Sequence, residues 1–171
     1  QLRKPVVALV RGRAIAGGCG LATACDLVLA EASARFAYTE VRIGFVPAMV
    51  MALLRRTLGE KRAFELAARG DRISAAEAER IGLISKAVPT ADLDREVAEL
   101  ARSLAEKSPL GLKAVKEAWY YSVYSAPDVA YEISNLISQR TIRDHGGRPG
   151  LEQFVQKQLR PTSGVMKLAD K

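Results

Sequence analysis

The sequence has little of the material from which metal centres, disulfide scaffolds and membrane spans are built. Its 171 residues include two cysteines, Cys19 and Cys25, and a single histidine, His145. This usage is too sparse for a disulfide framework or a histidine–cysteine metal cluster, and it favours a reducing cytoplasm. No apolar run approaches the roughly 20 residues that cross a bilayer, and no charged-then-apolar signal segment is present. We therefore expect a cytoplasmic protein that binds neither a metal nor a membrane.

A concentrated charge of one sign is also missing. The formal net charge is +7, but lysine and arginine are interleaved with glutamate and aspartate and do not gather in a basic run. Such interleaving is typical of a solvated surface, so we expect no nucleic-acid partner. With 49% hydrophobic residues the chain can bury a core, and its length predicts one domain with an appendage.

Apolar runs and chain breakers predict strands and helices in the first part of the chain. Two apolar runs, 5–10 and 27–30, are expected to be buried strands on either side of a small-residue helix, 18–24. Another helix is predicted after Pro47, and a further one at 60–68. The helix after Pro47 has one apolar stripe, formed by Met49, Leu53, Leu54 and Leu58.

Helix signals dominate the rest of the chain. Ser74 and Glu77 have the spacing of a capping box, and one more strand is predicted at 83–88. Four later helices are predicted to begin near Leu93, Ser108, Pro127 and Leu151. One of these helices is crowded with aromatic side chains, namely Trp119, Tyr120, Tyr121 and Tyr124. These aromatic residues either pack into the core or face another subunit.

The stretch from Gly17 to Glu40 is the most informative for function. Gly17 and Gly18 stand where a strand gives way to a helix, so backbone N–H groups there lack helical partners and are partly positive. Without side chains, the two glycines let a ligand oxygen approach, which is how an oxyanion site is built from backbone. Glu40 is then a candidate acid or base. Taken alone, the two glycines are also explained by close helix–strand packing, and Glu40 by a place on the surface.

Several motifs together resemble the crotonase (enoyl-CoA hydratase/isomerase) superfamily. They are AGGCGL at 16–21, ACD at 24–26, FAYTEVRIG at 36–44, GDRISAAEA at 70–78, GLI at 82–84 and FVQK at 154–157. The resemblance runs in order from Lys4 to about Lys157 and corresponds to roughly the last two-thirds of such an enzyme. The first residue, Gln1, also indicates a processed form or a piece of a longer chain.

The resemblance implies an α/β fold, a crotonase-like β-β-α superhelix that is incomplete at the N-terminus. Residues 1–101 would be the C-terminal part of the acyl-CoA-binding core. Residues 102–171 would be a helical oligomerisation region that assembles a homo-trimer or hexamer. The implied substrate is an acyl-CoA thioester, and since coenzyme A is part of that substrate, no separate cofactor is expected.

The resemblance also assigns roles to residues. Gly17 would supply one of two backbone N–H groups that hold the thioester oxygen, and the other donor would lie in an N-terminal portion that this chain lacks. Glu40 would be the acid/base. Ala16 and Gly17 would contact the acyl-CoA, while Phe154 and Lys157 would contact the coenzyme A nucleotide.

Two departures from the family pattern shape the predicted activity. Gly20 stands where typical hydratases carry a second glutamate, and residues 46–49 (VPAM) replace a glycine-rich turn. Asp26 matches a structural position and does not replace the missing carboxylate. The pattern resembles single-glutamate hydratases, so the predicted function is addition of water across the 2,3 double bond of an enoyl-CoA. Two alternatives remain, namely a Δ3,Δ2-enoyl-CoA isomerase that uses the same glutamate and a non-catalytic crotonase-fold subunit.

Overall fold

The computed structural model describes residues 2–144 and 148–158. Within these residues the chain divides between Lys107 and Ser108 into two compact units. The first unit mixes strands and helices, and the second is helical. The domain boundary predicted near residue 101 stays a prediction.

The first unit contains two small sheets. In one of them β1 (Val7–Val10), β3 (Leu27–Glu31) and β6 (Lys86–Val88) run parallel in the order β1-β3-β6. The predicted strands at 5–10 and 27–30 are therefore confirmed, with shifted ends. The third strand is shorter than the predicted 83–88, because Leu83 and Ile84 bury their side chains in the core before the strand begins.

The second sheet is made of strands that the sequence pattern did not reveal. β2 (Arg13–Ile15) and β4 (Arg35–Ala37) run parallel, and β5 (Ile73–Ser74) pairs antiparallel with β4. Each of these strands has two or three residues, too few for a periodic signal. The chain thus passes from the first sheet to the second at β1-β2 and at β3-β4, and it returns to the first sheet at β2-β3 and at β5-β6.

Five helices complete the first unit: α1 (Gly17–Ala24), α2 (Ala48–Leu58), α3 (Glu60–Arg69), α4 (Ala75–Arg80) and α5 (Leu93–Ala105). A 3₁₀ turn at Glu40–Ile43 lies between β4 and α2, and another at Thr90–Asp92 precedes α5. The order strand, strand, helix therefore occurs at β1-β2-α1 and again at β3-β4-α2, with the first 3₁₀ turn before α2.

Local signals explain where several helices begin and end. The Ser74 hydroxyl accepts the Glu77 N–H at 3.1 Å, so half of the predicted capping box is confirmed. The Glu77 carboxylate binds the Arg80 guanidinium, whereas a full capping box would place it on the Ser74 N–H. Gly70 ends α3 in the left-handed conformation, with φ 61°.

The buried stripe of α2 differs from the predicted one. Leu54 is fully buried, but Met49 is 93% exposed. The residues of α2 that pack against the core cluster are Val50, Met51, Leu54 and Leu58. These four residues have the spacing of one helix face. The helix itself is confirmed, and so are Leu54 and Leu58 on its buried face, but Met49 was wrongly assigned to that face.

The second unit consists of α6 (Pro109–Tyr124), α7 (Pro127–Arg143) and α8 (Arg148–Gln158). α6 and α7 pack against each other, with Ala130 and Ile137 buried and a Glu117–Arg140 ion pair at 2.7 Å. On α6 the side chains of Trp119, Tyr120 and Tyr121 are exposed, so the core-packing interpretation is wrong for these three residues. No helix in the described ranges has the length and apolar character that a membrane span requires.

Candidate active site

The second sheet brings Gly17 and Glu40 to the same edge. β2 and β4 are parallel with Ile15 opposite Ala37, and the Ala16 N–H donates to the Ala37 carbonyl at 2.8 Å. Gly17 follows the end of β2 by two residues, and Glu40 follows the end of β4 by three. Since the carboxyl ends of parallel strands meet at one edge, the start of α1 and the carboxylate-bearing turn are neighbours.

The turn into α1 leaves backbone donors open. Ala16 has φ 51° and ψ −123°, the one non-glycine residue with positive φ in the described part of the chain. This strained turn reverses the chain so that the Ala16 carbonyl accepts the Gly20 N–H at 2.9 Å and starts the helix. Gly17 and Gly18 then hold the first helical N–H groups, which have no intrahelical acceptor. A Cβ at either glycine would meet no atom within 4 Å, so the space beside these residues is open.

Glu40 begins the 3₁₀ turn that follows β4. Its Oε2 is buried and has no hydrogen-bond partner. A carboxylate oxygen held in this way is costly unless a partner arrives, so it is unusual in a folded protein. The Glu40 carboxylate also contributes to raising the pKa of the Cys19 thiol and of the Tyr38 hydroxyl, although burial is the larger cause in both. The carboxylate therefore lies within electrostatic reach of the first turn of α1.

A buried hydrogen-bond network fixes α1 to the end of β4. The Thr23 hydroxyl donates to the Cys19 carbonyl at 2.9 Å, so the Tyr38 hydroxyl is the donor in its own bond to Thr23 Oγ1. The Cys19 thiol also bonds with Tyr38, and burial raises the thiol pKa to about 11. Burial likewise raises the pKa of Tyr38. Both groups are therefore neutral near pH 7, and neither is hydrogen-bonded to Glu40 Oε2.

Gly20 packs closely against the side chain of Val50. A Cβ placed there would stand 2.5 Å from Val50 Cγ1 of α2. The position at which the resemblance expects a second glutamate in typical hydratases is therefore closed by an apolar side chain. Asp26 does not take its place, because its Oδ2 accepts the Val6 N–H at 2.6 Å and so holds the chain at the start of β1. Glu40 is thus the carboxylate that this arrangement offers for chemistry.

The remaining residues that the sequence points to are described by their own surroundings. Among the apolar residues that flank Glu40 in the chain, Phe36 is buried, but Ile43 and Phe45 are 73% and 69% exposed. Phe154 is an exposed residue of α8. The side chain of Lys157 lies outside the described residues, as does His145. The nucleotide-binding role of Phe154 and Lys157 stays a prediction.

Sequence reasoning did not find the residues that support the site. Val50 and Thr23 belong to no motif that the sequence analysis used, and Tyr38 entered only as part of the motif at 36–44 with no role of its own. Within residues 2–144 and 148–158, no three histidine, cysteine, aspartate or glutamate side chains are grouped as metal ligands would be.

Comparison with known sequences assigns the chain to a family. A family model described as enoyl-CoA hydratase/isomerase matches residues 1–161. A putative enoyl-CoA hydratase of Thermus thermophilus is 46% identical over 114 residues, which are 67% of this chain and 45% of that protein. A probable mitochondrial enoyl-CoA hydratase of Dictyostelium discoideum is 34% identical over 158 residues, which are 92% of this chain and 57% of that protein.

Solved structures agree with the sequence comparison. The enoyl-CoA hydratase of Mycobacterium smegmatis superposes with a TM-score of 0.86 at 29% identity, covering 91% of this chain and 61% of that one. The enoyl-CoA hydratase of Bacillus anthracis gives 0.86 at 32% identity, covering 92% and 61%. The α/β crotonase-like fold is thereby confirmed, and the chain belongs to the enoyl-CoA hydratase/isomerase family. It spans about half the length of these two sequence relatives.

Proposed function

We propose that this chain provides the proton-transferring half of an enoyl-CoA hydratase site, in which Glu40 is the sole acid/base and the Gly17 N–H binds the thioester oxygen. The proposal rests chiefly on the buried, unpartnered Oε2 of Glu40, which lies at the same sheet edge as the open amides of α1. The names of the related hydratases support it.

In the proposed reaction the proton transfers are carried out by Glu40 and water. The Glu40 carboxylate takes a proton from water as the water oxygen attacks the β-carbon of the 2-enoyl thioester. Negative charge collects on the thioester oxygen as an enolate, and a backbone N–H aimed at that oxygen stabilises it by about 2.7–4 kcal/mol. The protonated Glu40 then gives its proton to the α-carbon. Coenzyme A enters and leaves as part of the substrate, and the proposal includes no separate cofactor.

A second candidate function is Δ3,Δ2-enoyl-CoA isomerisation by the same residue. The glycine at position 20, packed against Val50, favours it, because a single carboxylate suffices to move a proton between two carbons and Gly20 supplies no second one to orient water. The two functions differ in substrate. A 2-enoyl-CoA is hydrated by the first, and a 3-enoyl-CoA is consumed by the second.

The experiment compares Glu40→Gln with the wild type on crotonyl-CoA and on a 3-enoyl-CoA, using the full-length gene product. Glutamine keeps the shape of the side chain but cannot exchange the proton. We expect turnover to fall by about 10²–10⁴-fold, the usual contribution of general acid–base catalysis. Wild-type activity on the first substrate alone supports hydration, and activity on the second alone supports isomerisation.

Glu60→Gln is the matched control for this experiment. Glu60 is an exposed glutamate at the start of α3, paired with Arg55. Its substitution is expected to leave turnover unchanged. If Glu40→Gln retained full turnover of every acyl-CoA tried, both enzymatic proposals would be wrong and a non-catalytic subunit would be favoured.

We also propose that the second unit mediates assembly into a homo-trimer or hexamer. Large apolar and aromatic side chains are exposed on its helices, among them Trp119, Tyr131 and Leu136. Such residues are enriched at subunit interfaces. A cytoplasmic location remains a prediction from the cysteine content, and the Dictyostelium relative is named as mitochondrial.

A further inference from the structure

We propose that the Gly70–Asp71 turn, which follows α3, is a positioning element that holds the Glu40 turn at the site. The inference rests on the proposed function of Glu40 and concerns Gly70 and Asp71, which contact the Glu40 turn from the end of α3. It comes from two independent contacts, one made by Gly70 and the other by Asp71.

Gly70 packs against residues that precede and follow Glu40 in the chain. It is buried, and a Cβ built on it would stand 2.9 Å from Val41 Cγ1 and 3.2 Å from the Tyr38 carbonyl oxygen. Tyr38 precedes Glu40 by two residues, and Val41 follows it directly. The backbone of Gly70 therefore lies where any larger residue would displace the segment that contains Glu40. Its φ of 61° also requires glycine.

Asp71 adds a charged contact to the same turn. Its Oδ1 binds Arg42 Nη2 at 3.3 Å, and its Oδ2 binds Arg69 Nε at 2.9 Å. Arg69 and, to a smaller extent, Arg42 hold the pKa of Asp71 below its usual range, so the carboxylate is charged near neutral pH. Asp71 thus joins the end of α3 to the 3₁₀ turn two residues beyond Glu40.

The Glu40 turn is closed by its own backbone and is exposed on one side. Its backbone is closed by the Phe45 N–H bond to the Glu40 carbonyl at 3.0 Å, and Ile43 and Phe45 are exposed. A turn of four residues cannot hold a carboxylate rigidly without packing from a neighbouring element. Gly70 and Asp71 supply that packing, so their effect on activity should pass through the placement of Glu40.

The test compares Gly70→Ala with Gly82→Ala in the full-length protein. Both glycines have positive φ, 61° and 80°, so both substitutions strain the backbone alike, but a Cβ at Gly82 meets nothing within 4 Å. We expect Gly70→Ala to lower kcat at least about tenfold with little change in KM, since a misplacement of about 1 Å can cost about 100-fold in rate. Gly82→Ala should leave both constants within about twofold of wild type.

A structural readout accompanies the kinetics. Amide hydrogen exchange in residues 39–44 should rise in Gly70→Ala and not in Gly82→Ala. Adding Val41→Ala to Gly70→Ala removes the closest clash and should recover part of kcat. Equal losses of kcat in the two glycine variants, or a loss confined to KM, would overturn the inference.

A second pair of variants decides the question if Gly70→Ala does not fold. Arg42→Gln and Asp71→Asn each remove one charge from an exposed pair that contributes little to stability. Each is expected to lower kcat. The double variant should be no worse than Asp71→Asn alone, because Asp71→Asn already breaks the Arg42–Asp71 contact in addition to weakening the bond to Arg69. Independent, additive effects would argue against a shared role.

Glu40→Gln is assayed beside these variants. If it loses turnover while the Gly70, Arg42 and Asp71 variants keep theirs, only the positioning role is overturned. If Glu40→Gln retains turnover, the proposed function and this inference fail together.

Discussion

Val50 of α2 closes the space above Gly20 of α1. A Cβ at Gly20 would stand 2.5 Å from Val50 Cγ1, a distance that side-chain atoms do not tolerate. The contact fixes how α2 packs on the helix that begins at Gly17.

Gly20→Ala is expected to destabilise the protein by about 1–3 kcal/mol, because it overpacks a buried contact. Adding Val50→Ala removes the clashing methyl groups and should restore part of the loss. Urea unfolding of the two variants and the wild type measures this effect. Gly18→Ala, where a Cβ meets nothing, is the control, and a Gly20→Ala variant as stable as wild type would contradict the packing described.

Gly17→Ala should separate stability from activity. A methyl group there meets no protein atom within 4 Å, and alanine favours a helix by up to about 1 kcal/mol over glycine, so the melting temperature should hold or rise. The same methyl group projects beside the amide proposed to bind the thioester oxygen. We expect kcat/KM to fall at least about tenfold, part of the loss typical of removing an oxyanion donor. Unchanged kcat/KM would exclude Gly17 from the oxyanion site.

Alkaline pH should lower the free energy of unfolding, because the buried Cys19 thiol must stay protonated in the folded state. Burial raises the pKa of its thiol from 9.0 to about 11, so between these values the folded state keeps a proton that the unfolded state releases. The stabilisation is complete below pH 9 and is lost as pH rises toward 11, by about 2–3 kcal/mol at most. Cys19→Ala should show a shallower fall in the free energy of unfolding over this window, measured by urea titration at several pH values. Parallel pH curves for variant and wild type would contradict the prediction.

The second unit offers a test of assembly. Trp119→Glu places a charge on an exposed aromatic side chain of α6 and should lower the molecular mass measured by light scattering. The far-ultraviolet circular dichroism should stay unchanged, since Trp119 lies outside the buried contacts of α6 and α7. An unaltered mass would show that Trp119 is not part of the interface.

Particular elements show how far the sequence pattern reaches. The strands at Val7–Val10 and Leu27–Glu31 and the helix at Gly17–Ala24 follow from apolar runs and small residues, which are local signals. β2 and β4 are too short to show a periodic pattern of apolar residues, and they are defined by their pairing with each other. Met49 was assigned to the buried face of α2, yet it is exposed, because the facing of a helix is set by the elements it packs against.

By itself, the sequence determined the family motifs, the two glycines at a helix start and the position of one glutamate, because these features depend on residue type and spacing along the chain. The tertiary structure alone decided that parallel pairing of β2 with β4 brings Gly17 and Glu40 to one edge, that Val50 closes the space over Gly20, and that Gly70 and Asp71 pack against the Glu40 turn. These contacts join residues far apart in the chain. Their geometry depends on strand register and helix packing, which no local pattern encodes.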